Sequence, residues 1–455
     1  MLKKLLMLSL LFFMFLQSVS FSQETPPLEG RFEQLKELKH LQYLSMQLYL
    51  SPNGQTLVFE GPLRPTGQAT FNLKTKEIYF HEGSWEFVGW FHKDQFLSVF
   101  HPDTLTNPGQ IFLIEPSNFQ PKELAGDAKN LGGLSWVKED IWVWEILLSP
   151  LKNEFIYTDC SKALWKYDLV KGVKSKVSEG YGVAWSNTGK WIVFKDKQKM
   201  FLMGKDWKKK VPIPSEFRTF EFSHDDKYLF CIGHGINDAL YQIDEGGLLV
   251  KRDGKFESLK DIISFRWSPK RHVAAISLRA PKVKSKLAIW DMKDDKIKTF
   301  SRGNAKMEWD EGQWSPRGDW CACYGTEVRG EERKSAGVYL LNANAKDSIF
   351  IEKPIFEGQW SPDGKKLLLR AQKGNNYLYS VDKRELKKLS IPKSSTDEYT
   401  MAWMPDSHKI VVGLDGKLLE HVVRGGVDHF VDEDYIYQYH IYLFDIETEK
   451  AEKLI

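Results

Sequence analysis

Apolar and polar positions along this chain do not keep the 3.6-residue beat of long helices. From about residue 46 onward, short runs of β-branched, aromatic and aliphatic residues alternate with polar turns, as in TLVFEG, FIYTDC, WIVFKD, YLFCIG and KLLLRA. This is the pattern of short buried strands. A phrase recurs before these runs: a Trp or other large apolar residue, Ser, Pro or a polar residue, Asp or Asn, Gly, then Lys. The fullest copies are Trp360-Ser361-Pro362-Asp363-Gly364-Lys365, Trp314-Ser315-Pro316-Arg317-Gly318-Asp319 and Trp185-Ser186-Asn187-Thr188-Gly189-Lys190. Looser copies begin at Leu50, Trp90, Leu148, Phe222, Trp267 and Trp403. The anchors are spaced by 40, 58, 37, 37, 45, 47, 46 and 43 residues, so repeated units fill nearly the whole chain.

Pro fixes φ at the first corner of a turn, and Asp/Asn-Gly tolerates the positive φ that follows, so the phrase reads as a hairpin loop between two strands. A third strand follows in most units and often ends in Asp (Asp168, Asp244, Asp291, Asp445), and a polar fourth strand completes an antiparallel sheet. One such sheet has two faces to cover. Stacking the sheets radially covers them, which predicts an all-β fold: a single β-propeller of eight or nine four-stranded blades. Trp185, Trp267, Trp314, Trp360 and Trp403 are then expected to wedge between blades, with Pro316, Gly318, Pro362, Asp363 and Gly364 shaping the turns. Before the first unit, Phe32, Leu35, Leu38, Leu41 and Leu44 recur every third residue and predict a short amphipathic helix over 31–45.

The W-S-P-D-G-K phrase resembles the signature of TolB-like, WD-repeat-like bacterial propellers, and of the propeller in dipeptidyl peptidase and prolyl oligopeptidase enzymes. The resemblance covers residue 46 to the end and implies a propeller throughout. The chain departs from the peptidases in having no G-x-S-x-G elbow, and from TolB in having only about 25 residues between the leader and the first unit. Trp290-Asp291 ends a third strand in Trp-Asp, but its unit has no Gly-His start.

Composition refines this picture. The 455 residues include 16 Trp, 17 Tyr and 28 Phe but only 4 Cys, which excludes a disordered chain and a disulfide framework. Lys3 and Lys4, the apolar run Leu5 to Leu16, and Ser20 and Ser22 form a secretory leader. The expected organisation is a signal peptide over 1–22, an extension over 23–45 and the propeller over 46–455, with no transmembrane anchor after cleavage. The formal charge of +3 lacks the concentrated basic face that nucleic acid requires. Cys160, Cys231, Cys321 and Cys323 all lie in second-strand runs and read as buried small residues.

Three groups of residues carry candidate chemistry. The loops after the second strands of units 6 to 8 hold Arg279, Lys282, Lys284 and Lys286, then Arg329, Arg333 and Lys334, then Arg370 and Lys373. On one rim these cations would steer an anionic partner. The last unit carries HVVRGGVDHFVDEDYIYQYH, which reads as a solvated loop; Asp428, His429, Asp432 and Asp434 are the residues a cation there would use, although the spacing matches neither an EF-hand nor HExxH. His81-Glu82, His224-Asp225-Asp226 and His234 stand near turns and read as structural, as does Arg317-Gly318-Asp319, which fills the turn slot of its unit. No cofactor is expected. The function expected is that of a periplasmic or secreted, non-catalytic, monomeric propeller binding a protein or envelope partner through its rim and central channel. The alternatives are a polysaccharide lyase or glycosidase and a stand-alone relative of the peptidase propellers.

Overall fold

The computed structural model describes residues 32–35 and, with breaks at loops, residues 47–454. Nine sheets follow one another along the chain, each built on four antiparallel strands in sequence order, here A to D from the hub outwards; the first carries a fifth strand on its outer edge, and in the seventh strand A is in two pieces, Met307–Trp309 and Gln313–Trp314. Blade 8 is representative, with Ile355–Trp360 as A, Lys366–Ala371 as B, Asn375–Ser380 as C and Glu385–Leu389 as D. The apolar runs after the phrase are the B strands. In blade 6, Val273–Leu278 is buried along almost its whole length, whereas strand D of blade 3, Val173–Glu179, is largely exposed. A B strand is covered on both faces and needs a continuous apolar sequence. A D strand is an open edge and is protected by charge.

The core is divided among the junctions between blades. Nine apolar clusters each draw on two neighbouring sheets. One of them joins Leu57, Phe59 and Phe71 of blade 1 to Val411 and Ile441 of blade 9, which closes the ring. The closure is tight, because a Cβ on Gly54 would lie 2.9 Å from the Pro405 ring of blade 9.

The phrase folds as a locked turn. The Ser backbone N–H donates to the carbonyl five residues on, as in Ser361 to Lys366, and the residue three after Ser donates back to the Ser carbonyl, as in Gly364. The Ser hydroxyl accepts the returning N–H at Thr56, Trp191, Tyr228, Trp320 and Lys366. The third residue after the start always turns left-handed where these bonds form: φ is 71° at Gly54, 69° at Gly189, 67° at Gly318 and 68° at Gly364, but also 55° at Lys152, 61° at Asp226 and 60° at Ser407. Arg317-Gly318-Asp319 is one such turn, with Asp319 accepting the Ser315 hydroxyl at 2.7 Å.

In blades 4, 6, 7, 8 and 9 the anchor Trp links the blade to the one before it. Indole Nε1 donates to the carbonyl immediately before the preceding anchor: Trp185 to Leu147, Trp267 to Glu221, Trp314 to Arg266, Trp360 to Gln313 and Trp403 to Gln359, at 2.9–3.2 Å. Blade 5 has Phe222 in this slot and no N–H to give. There the bond runs the other way, from the Asn187 amide to the Phe222 carbonyl at 2.7 Å, while buried Asp226 accepts the Ser186 hydroxyl at 2.6 Å and the Thr188 hydroxyl.

Several expectations change. Phe32–Leu35 is a strand on the outer edge of blade 1, paired with Ile78–His81, where a helix was expected; the remainder of that helix lies outside the described residues. An open edge supplies unpaired backbone groups that an extended segment satisfies. The long gap between the second and third anchors holds an extra hairpin, Leu134–Val137 with Ile141–Trp144. Cys231, Cys321 and Cys323 are buried but Cys160 is exposed, because it falls in the turn after its strand. Among the described residues no helix is long and apolar enough to cross a membrane.

Two outcomes are expected in guanidinium unfolding. Trp360→Phe removes one indole donor and leaves the Gln313 carbonyl unpaired, lowering stability by about 1 kcal/mol. At the left-handed turn position, Lys152→Gly raises stability by about 0.5 kcal/mol and Gly364→Ala lowers it by about 1–2 kcal/mol, opposite signs set by the positive φ, with a Cβ at 364 also lying 2.9 Å from Arg317 Cγ.

Candidate functional site

Antiparallel order puts the A–B turns on one rim and the B–C turns on the other. The B–C rim is uneven. In blade 7 strands B and C, Trp320–Arg329 and Glu332–Asn342, have 10 and 11 residues, and in blade 9 they run Lys409–Gly425 and Val431–Asp445, with 17 and 15. The matching strands of blade 8 have 6 each. At about 3.3 Å per residue, strand B of blade 9 is roughly 35 Å longer in contour than its counterpart in blade 8. Blade 8 is therefore a low point between two raised hairpins.

The blade 7 hairpin extends because its sequence alternates across a regular register, Glu327 opposite Lys334 and Arg329 opposite Glu332. Its base is tied to blade 8 by the Ser335 hydroxyl, which donates to the Ile355 carbonyl. The last-unit insertion, expected as a loop, is a paired hairpin: Asp432 lies opposite Arg424 and Asp434 opposite Val422. Period-two alternation of apolar and polar residues in VDEDYIYQYH is the signal for it. Asp428 and His429 lie outside the described residues.

The cations expected on this rim are placed as follows. Arg329, Arg333 and Lys334 are on the blade 7 hairpin, Arg370 on strand B of blade 8, and Lys286 at the start of strand C of blade 6. Arg279, Lys282, Lys284 and Lys373 lie outside the described residues. Each described arginine meets a carboxylate: Arg329 with Glu327 at 3.1 Å, Arg333 with Glu308 at 3.3 Å and Arg370 with Glu357 at 3.3 Å. Linear reading found the cations and missed these acids, because register decides which strand supplies them. Between the hairpins, Phe356 is 43% exposed, and the Arg370 guanidinium lies 5.2 Å from its ring centroid. That contact is a cation–π pair on an otherwise polar floor.

On the opposite rim, two A–B turns meet at the junction of blades 5 and 6. His224 and Asp225 stand in the turn between Phe217–Phe222 and Tyr228–Gly233, and His272 in the turn between Ile262–Trp267 and Val273–Leu278. His224 is thus not isolated: its ring centroid is 4.8 Å from that of His272, whose Nε2 is 3.0 Å from Asp225 Oδ2. Burial alone would raise the Asp225 pKa, but hydrogen bonds from His272, Lys227 and Ser223 outweigh it and hold the carboxyl well below the usual range. Burial pushes the His224 pKa down, against the pull of Asp225. His272 could be found from sequence only by laying one copy of the phrase on the next. His234 lies outside the described residues, and His81 is in a paired strand of blade 1.

No protein-family model and no curated protein sequence matches the chain. Among solved structures it is similar to a eukaryotic initiation factor, at 15% identity and a TM-score of 0.49 over 75% of this chain and 81% of that one. It is also similar to oligogalacturonate lyase from Vibrio parahaemolyticus, at 12% identity and 0.41 over 90% and 98%. A third likeness is to TolB from Agrobacterium tumefaciens, at 17% identity and 0.29 over 54% and 83%. At such identities these are likenesses of fold, and the assignment of this chain as a propeller rests on its own sheet order and its nine shared clusters.

Proposed function

We propose that this chain is a secreted or periplasmic, non-catalytic propeller that captures a protein partner of the cell envelope on its uneven rim. The observation that carries the reading is the pair of overlong hairpins flanking blade 8. A ring needs no such extension to be stable, because all its faces are already shared between blades. Extended hairpins offer a partner paired backbone walls. On the floor, exposed Phe356 braced by Arg370 has the aromatic and arginine character of an interface anchor. The alternating ion pairs on the blade 7 hairpin suit a partner that matches both signs of charge.

Asp415 and Tyr439 are partners in the register of the blade 9 hairpin, so residues 416–438 can be replaced by an Asn-Gly turn without disturbing the blade. Affinity purification from the envelope fraction is expected to retain a partner with the full chain. The shortened chain should lose at least about tenfold of it at unchanged circular dichroism, as should charge reversal at Lys282, Lys284, Arg329 and Arg333. Equal recovery by the full and shortened chains would sink the assignment of the partner to this rim.

A further inference from the structure

We propose that His224, Asp225 and His272 form a divalent-metal site of the zinc type, bridging blades 5 and 6 on the rim opposite the hairpins. One ligand atom from each of the three side chains lies within 4.8 Å of the others. Tetrahedral zinc, with bonds of about 2.0–2.1 Å, sets ligand atoms about 3.3 Å apart. His272 Nε2 and Asp225 Oδ2 are already 3.0 Å apart. The remaining separations, all within 4.8 Å, are within reach of side-chain rotation.

Asp225 and His272 are each oriented by contacts made away from the metal-facing atom. Asp225 Oδ1 accepts the Ser223 hydroxyl at 3.0 Å and the Lys227 backbone N–H at 3.2 Å, which turns Oδ2 toward His272. The His272 ring stands edge-on to Tyr228, 5.5 Å between centroids, and Tyr228 in turn stacks on the anchor Trp267. His224 Nδ1 is buried and makes no side-chain hydrogen bond among the described residues, while the ring is held by the Arg271 backbone. A buried ring nitrogen left unpaired costs free energy and calls for a ligand at that point. One cation satisfies Nδ1, Nε2 and the carboxylate together, and outer contacts of this kind fix ring orientation at metal centres.

The donor set selects the metal. Two imidazoles and one carboxylate suit zinc and its first-row neighbours, whereas calcium and magnesium favour all-oxygen shells. His272 and Asp225 are 32% and 24% exposed, so a fourth position opens to solvent for a water molecule or a partner's side chain. The Lys227 ammonium, 3.1 Å from Asp225 Oδ2 on a side chain 66% exposed, occupies the cation's side of the carboxylate and swings away when metal enters. Lys227 is therefore a competitor, and removing it should tighten binding. A role confined to packing would not respond in that direction.

Calorimetric titration of the purified chain with Zn2+, with Mg2+ as control and Co2+ as a spectroscopic probe, tests the site. One equivalent of Zn2+ is expected, none of Mg2+, and a tetrahedral Co2+ spectrum. His224→Ala and His272→Ala should each weaken Zn2+ binding by about 100-fold or more, and Lys227→Met should strengthen it by about threefold. The chain lacking residues 416–438 should keep the same equivalent, which separates this site from the histidines of the blade 9 hairpin. Absence of Zn2+ binding by the full chain, unchanged affinity in both histidine variants, weaker binding by Lys227→Met, or loss of the equivalent with the hairpin would each overturn the proposal. The wild-type titration, the Lys227 variant and the hairpin deletion remain decisive if a histidine variant does not fold.

Discussion

Every blade of this protein depends on apolar faces that it cannot cover by itself. A lone four-stranded sheet exposes two faces, and here each face is half of a cluster completed by the next blade. Hydrophobic burial of this kind is strong but non-directional, so it does not by itself fix the angle between sheets. The anchor indoles supply direction. Each buries its ring at the junction and gives its N–H to a set carbonyl of the preceding inner strand, which couples apolar packing to a hydrogen bond of defined geometry. The junction of blades 4 and 5 reveals how strict this demand is. With Phe222 in the slot, Asn187 and Asp226 restore directional bonding from other positions.

A ring held in this way leaves different freedom on its two rims. The A–B turns carry the anchor, the locking Ser and the left-handed corner, so their length is set by the repeat. The B–C turns lie at the far end of each blade, where added residues pair with one another and leave the ring unaltered. Blades 7 and 9 use that freedom. The long rim is accordingly where a binding surface can vary, and the short rim is where side chains from adjacent blades are held in constant relation. The cluster of His224, Asp225 and His272 depends on that constancy, since its members come from two copies of one turn.

Much of the fold was legible because each locking element is local in sequence. Ser361, Asp363 and Gly364 act within six residues of one another, and Asp168, Asp291 and Asp445 cap the C–D turns by accepting backbone N–H groups two residues on. The nine anchors therefore could be counted without knowing any long-range contact. What could not be read depends on register or on neighbours from another unit. The strand at Phe32–Leu35 forms because blade 1 offers an edge, a fact absent from its own spacing. Glu308 meets Arg333, and His272 meets Asp225, only through pairing across strands and blades.

The same logic accounts for the irregular unit. Nine blades set the inner strands on a wider circle than the four to eight usual for propellers. The one long insertion ahead of an inner strand, between the second and third anchors, folds as the hairpin Leu134–Val137 with Ile141–Trp144. Its second strand lies against Tyr181–Trp185, the inner strand of blade 4. Strand A is the hub-side edge of its sheet, with backbone groups unpaired on that side. An insertion placed immediately before blade 3 is thus directed to the hub and to the edge of the next blade. The spacing of 58 residues, which breaks the period in the sequence, marks this added hairpin and its contact with the next blade.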